Sequence, residues 1–147
     1  MHAIRIRAGL AGLVVALIAV VGTAAPARAA TGSFTGTLTV SATTVAVGTP
    51  FTATQTAVNL TSSQLYPITV GIRRLGFTVT ASVPPRTGIC RIAGSATCSF
   101  LALAARETQS YQLTLVGTTP GTYQLQGWAS SSTIAGGSLT TITVVVH

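Results

Sequence analysis

"QSYQLTLVGTTPGTYQLQGWAS", residues 109–130, decides the fold. Tyr111, Leu113 and Leu115 fall on every second position, with Gln112 and Thr114 between them. That is the period of a strand with one buried face. Thr119-Pro120-Gly121 then breaks the pattern, because proline fixes φ and glycine tolerates positive φ, as a tight turn needs. Alternation resumes beyond the break, with Tyr123, Leu125, Gly127 and Ala129 on one face and Gln124, Gln126, Trp128 and Ser130 on the other. If the tyrosine face is the core, Trp128 points outward between polar neighbours.

The same texture runs through the chain after residue 30. Short stretches rich in threonine, valine, isoleucine, leucine and aromatics predict strands at 36–42, 51–59, 68–73, 77–82, 88–92, 97–101, 109–116, 122–130 and 139–146. In the last of these Ile142, Val144 and Val146 read inward, and Thr141, Thr143 and Val145 outward. "LALAAR", 101–106, is the only segment with a helical look. It is too short to stand as a helix and reads as a loop crossing between sheets. The expected fold class is all-β: an immunoglobulin-like antiparallel β-sandwich of about 7–9 strands.

The first residues set the compartment. Arg5 and Arg7 precede an apolar run from Leu10 to Val21, and Ala27-Arg28-Ala29 follows it. A charged start, a short apolar stretch and an A-x-A site describe a secretory signal peptide, 1–29. The apolar run is shorter than the roughly 20 residues that span a bilayer. The mature domain is then 30–147, the size of one ordinary domain, secreted or extracellular. The sequence carries no sorting motif before His147, so free secretion or non-covalent retention at the cell surface is expected.

Cleavage also removes much of the apparent basicity. The formal charge of +7 loses Arg5, Arg7 and Arg28 and falls to +4, leaving Arg73, Arg74, Arg86, Arg91 and Arg106 against Glu107. These arginines are scattered, and nucleic-acid binding would want a clustered stripe with stacking aromatics. Acidic cell-wall polymer or anionic lipid suits the remaining charge better. One carboxylate residue cannot build a glycosidase pair or a calcium site, and because His2 leaves with the signal peptide, nucleophilic catalysis or a zinc site would have to recruit His147. His147, the last residue, is expected to be disordered. The sequence therefore predicts no catalysis, no metal and no cofactor.

The two cysteines, Cys90 and Cys98, sit in "TGICRIAGSATCSF", residues 87–100. A metal would want further ligands, and a redox pair is more usually C-x-x-C. Export favours a disulfide, here stapling strands 88–92 and 97–101 across a short turn. Reduction should then lower the melting temperature without abolishing a binding activity.

Four other features read as contacts. Trp128 with Gln124 and Gln126 could stack a sugar ring or anchor a protein, or the tryptophan could pack under a loop. Arg73-Arg74 could meet an anion, guard an edge against strand pairing, or form an ordinary solvated turn. "VPPRTG", 83–88, extends Arg86 as a trypsin-like inhibitor loop would. Asn59-Leu60-Thr61 matches a glycosylation acceptor and reads as a chance match.

"GICRIAGSATCSFLALAARETQSYQLTLVGTTPGTYQLQGWASS", 88–131, resembles the second half of a repeat domain common in bacterial surface and secreted proteins, the "domain of unknown function eleven" family of immunoglobulin-like modules. The likeness rests on the cysteine hairpin, Ser99 to Leu103, the alternating strand at Tyr111 and Pro120-Gly121-Thr122-Tyr123. "VAVGTPFTATQTAVN", 45–59, is similar to the family's V-x-V-G-x-x-F-T-Y-T-V-T-V-x-N, with Gln55 where an inward apolar residue is expected. "ITVGIRRLGFTVTAS", 68–82, departs more, with Ile72 to Leu75 replacing an aspartate and proline before the central glycine. The resemblance implies a spacer, stalk or contact module outside the cell, and brings no catalytic residues.

The function expected is that of a secreted, non-catalytic structural or interaction protein. Its partner would be an extracellular protein or cell-wall polymer, with no nucleic acid and no membrane span after cleavage. Three rivals are open: a protease inhibitor, a small-ligand-binding sandwich, and a self-assembling surface protein. The last follows from "LTTITVVV", 139–146, which has no charge, glycine or proline. Such a segment pairs readily if it lies at a sheet edge.

Overall fold

A computed structural model describes residues 34–134 and 137–147, so the predicted signal peptide lies outside the described residues. Among the described residues ten strands form: β1 Phe34–Val40, β2 Thr44–Val45, β3 Pro50–Asn59, β4 Ile68–Arg74, β5 Phe77–Val83, β6 Ile89–Ile92, β7 Ser95–Phe100, β8 Thr108–Gly117, β9 Gly121–Ser131 and β10 Gly137–Val146. A four-stranded sheet in the order β1-β3-β8-β5 faces a six-stranded sheet in the order β2-β10-β9-β4-β7-β6. The fold is an all-β sandwich, as the alternation predicts.

Period-2 patterning explains which residues lie between the sheets. Tyr111, Leu113 and Leu115 of β8, Ile68, Val70 and Ile72 of β4, and Leu125 and Ala129 of β9 are all buried. One end is closed by edge-to-face aromatics, with Phe77 centred 5.2 Å from Phe51 and 5.2 Å from Tyr123. Leu75-Gly76 turns β4 in one sheet into β5 in the other, and Gly76 takes φ +84° there. The crossing reading of 101–106 holds: the segment leads from β7 to β8, with Leu103 bridged to Leu65 by two backbone hydrogen bonds of 2.9 and 3.0 Å.

Three expectations are corrected. β1 begins and ends two residues early; at Ser41 the amide still donates to the Thr52 carbonyl at 2.9 Å, but the Thr52 amide donates to the Ser41 hydroxyl at 2.9 Å instead of to a backbone carbonyl, which ends the regular ladder. β2 is a strand that no pattern announces, and it runs parallel to β10, so the sandwich is not wholly antiparallel. His147 is tied down by its backbone rather than loose: its amide donates to the Val45 carbonyl at 3.0 Å, and its carbonyl accepts from Val47 at 2.8 Å.

Gln55 does face inward, in the register expected of an apolar residue. It is fully buried, and neither amide atom has a hydrogen-bond partner among the described residues. Room for it comes from Gly127 across the sandwich, where a Cβ would displace the Gln55 Oε1. A buried amide without partners costs roughly 1–3 kcal/mol. Gln55→Met, unbranched and of similar length, should therefore stabilise the protein by about 1–2 kcal/mol, seen as a higher urea midpoint at unchanged slope. A lower midpoint would show that the amide is satisfied after all.

Candidate functional site

The outer face of the six-stranded sheet gathers most of the residues that the sequence marked as contacts. Register places Leu139, Trp128, Gly71, Thr97 and Arg91 in one row across β10, β9, β4, β7 and β6. Trp128 lies on this outer face, half-buried, rather than under a loop. Three atoms of its indole, Cε2, Cζ2 and Cη2, occupy the space where a Cβ on residue 71 would project. Glycine at 71 thus lets the ring lie flat on the backbone, with one π face against the sheet and the other toward solvent. Gly71 is buried by this ring although it faces outward.

Leu139, 69% exposed, is the apolar neighbour of Trp128 on β10; the rest of the surround is polar. Gln126 sits beside Thr141 and Arg73 in the next row on the same face, and Gln124 beside Thr143 two residues along. Arg73 and Arg91 are both exposed, and Gln124, Thr141 and Thr143 are exposed too. Neither Gly71 nor Arg91 was marked by its sequence. Only the pairing of four strands brings them beside Trp128.

Arg74 parts company with Arg73. Its guanidinium turns to the inner side, where Nη1 donates to the Phe77 carbonyl at 2.9 Å and Nη2 to the Ala93 carbonyl. It therefore ties the β4–β5 and β6–β7 turns together and does not share a surface with Arg73. It also lies near the buried Tyr111, whose phenol is pushed above its ordinary range by burial and pulled back in part by the Arg74 charge.

Arg86 is exposed on the 83–88 segment, but that segment is pinned. Pro85 is buried, and the Arg86 amide donates to Gln109 Oε1 at 3.1 Å. Gln109 in turn donates to Glu107 Oε1 at 2.6 Å, while Glu107 Oε2 accepts from the Ala104 amide at 2.7 Å. The one carboxylate side chain of the sequence is thereby occupied in holding loops together. Cys90 and Cys98 form a disulfide between directly opposed positions of β6 and β7, with Cα atoms 4.1 Å apart. Among the described residues no cluster of three or more metal-ligating side chains occurs, and no helix is long and apolar enough to cross a membrane.

Two further surface features were not visible in the sequence or only conditionally so. A groove of about 380 Å³ lies between Pro67, Gly88, Ile89, Phe100 and Leu101. Among the described residues β10 is flanked on its outer side only by the two residues of β2. The Val145 amide turns outward to the Thr43 carbonyl at 2.9 Å, so by alternation the backbone groups of Leu139, Thr141 and Thr143 also face away from β9. Among the described residues nothing pairs with this stretch of β10, the edge that self-pairing would need.

Fold and site together define a two-sheet β-sandwich module with a mainly polar sheet face that bears Trp128 and Leu139. Among solved structures the chain is similar to the cohesin module of a family 33 glycoside hydrolase from Clostridium perfringens, with a TM-score of 0.58 and 12% identity over 80% of this chain and 98% of that one. It is also similar to a CARDB domain from Pyrococcus furiosus, TM-score 0.54 and 13% identity over 78% and 93%. A non-cellulosomal cohesin from Archaeoglobus fulgidus gives 0.51 and 10% over 77% and 91%. These likenesses establish the fold. No family model and no curated protein matches the chain.

Proposed function

We propose that the protein is a secreted, non-catalytic, immunoglobulin-like interaction module that meets an extracellular protein or cell-wall polymer through the outer face of its six-stranded sheet. The flat placement of Trp128 over Gly71 carries the reading. A large apolar ring kept out of the core, beside the exposed Leu139 and otherwise framed by glutamines, threonines and arginines, has little structural use there, whereas such rings dominate contact energies. Secretion is supported by the signal-like 1–29 segment and by the disulfide. The similarity to cohesin modules, including one from a glycoside hydrolase chain, agrees with a domain that serves by binding. The likeness to the bacterial immunoglobulin-like repeat family belongs to the same proposal.

The test is a pull-down of culture-surface components with wild type and Trp128→Ala. Capture that falls about tenfold or more in the variant, while its thermal unfolding is unchanged, supports the face. Equal capture by both proteins would overturn it.

A further inference from the structure

We infer that the Trp128 face binds a glycan chain carrying anionic groups, with a pyranose ring stacked on the indole and Arg73 and Arg91 pairing with carboxylate or phosphate substituents. The inference rests on the functional reading just given and adds the chemistry of the partner.

The posture of the tryptophan favours a sugar over a protein. A tryptophan that anchors a protein interface fills a pocket on its partner, which requires the ring to stand clear of its own surface. Trp128 lies down instead, its benzo edge over the Gly71 backbone. A flat ring with one free face receives a flat apolar surface, and the C–H face of a pyranose is such a surface. Hydroxyls around the sugar rim then need polar partners close to the ring plane. Gln126, Thr141, Thr69 and Thr97 supply amides and hydroxyls on the same outer face, on β9, β10, β4 and β7.

Charge adds the second requirement. Arg73 lies one strand across and two residues along from Trp128, and Arg91 three strands across in the same row. At about 4.8 Å between strands these are roughly 8 and 14 Å from Trp128 between Cα atoms. Both arginines are exposed, and the only acidic residue, Glu107, is engaged in the crossing loop. The face is thus positive with no acidic side chain on it to offset it. Its span suits several linked sugars rather than one, and guanidinium groups pair well with carboxylate and phosphate oxygens alike.

Trp128 is the only tryptophan in the sequence, so its fluorescence reports the site directly. The full chain would be titrated with tetragalacturonate, with a ribitol-phosphate polymer, and with neutral chitotetraose. The expected result is a saturable emission change with at least one anionic probe, at least tenfold tighter than with chitotetraose and weaker in 0.5 M salt. The arm that responds distinguishes carboxylate from phosphate as the source of charge. Arg73→Gln and Arg91→Gln should each weaken binding about tenfold while the emission change at saturation remains. Trp128→Ala should remove binding measured by calorimetry, and Trp128→Tyr, which keeps a platform, should retain part of it.

Absence of a response to both anionic probes would overturn the inference. So would equal affinity for chitotetraose, or indifference to both arginine substitutions. If the glycans fail while the pull-down captures a protein in a Trp128-dependent way, the partner is a protein and the functional reading stands without this inference. If neither assay responds to Trp128→Ala, both fall.

Discussion

Asn59→Ala is expected to lose roughly 3–5 kcal/mol of stability, a large share of the 5–15 kcal/mol that holds an ordinary domain together. Asn59 ends β3 and is fully buried. Its Nδ2 donates to the carbonyls of Ser63 at 2.8 Å, Leu103 at 3.0 Å and Ala104 at 2.8 Å. Its Oδ1 accepts from the amide of Thr61 at 2.9 Å and from the Thr61 hydroxyl at 2.7 Å. One side chain thus joins the end of the four-stranded sheet to the loop arriving from the six-stranded one. Alanine removes all five contacts; the carbonyls of Ser63, Leu103 and Ala104 keep the Thr61 hydroxyl, the Leu65 amide and the Glu107 amide as donors, but the buried Thr61 amide loses its acceptor, which costs about 1–3 kcal/mol, and each lost hydrogen bond adds about 0.5–1.5 kcal/mol before compensation. Asn59→Asp keeps the acceptor for Thr61 but aims a carboxylate at carbonyl oxygens, so it should destabilise at least as strongly. Urea unfolding measures both, and a loss below about 1 kcal/mol for alanine would show that the contacts are replaceable. The same geometry explains why Asn59-Leu60-Thr61 is no glycosylation site in the folded protein: the nitrogen that would carry the sugar is buried and already shared among three carbonyls.

What the sequence showed and what it hid divide along local and non-local lines. Strands are legible because burial of one face imposes a two-residue period, and Trp128 falls on the outer face for that reason alone. Arg73 and Arg74 should have been separated by the same rule. Ile68, Val70 and Ile72 alternate inward, so residue 74 follows them to the core side and residue 73 faces out. Gly71 and Arg91 could not be found this way, since their closeness to Trp128 depends on register across β9, β4, β7 and β6. Gln55 is a related case. Its inward position was legible, whereas the room made for it by Gly127 belongs to the opposite sheet. β2 escaped because two residues carry no period.

Reduction of the Cys90–Cys98 disulfide is expected to cost about 2.5 kcal/mol, by the loop entropy released when a link closing about nine residues is cut. The bond joins β6, the outermost strand of the six-stranded sheet, to β7, and Cys98 is buried while Cys90 is half-buried. β6 has only four residues and, among the described residues, pairs with β7 alone. Beyond the ladder and the disulfide, the Arg74 guanidinium on the Ala93 carbonyl holds the turn between β6 and β7. Loss of the staple should therefore act at two levels. The melting temperature falls, by several degrees for a domain of this size, and amide exchange rises first in residues 89–92, ahead of the rest of the sheet. The Trp128 platform should persist, because it rests on β9 and β4, which pair with each other over seven residues without help from β6. Binding to the face should then weaken no more than it does in Arg91→Gln, since Arg91 is the only proposed contact carried by β6. Thermal unfolding, hydrogen exchange and glycan titration, each with and without reductant, separate the outcomes. A reduced protein that keeps its fold and its β6 protection yet loses binding altogether would make the disulfide part of the site itself. The graded result would make it a brace for one edge of the binding face.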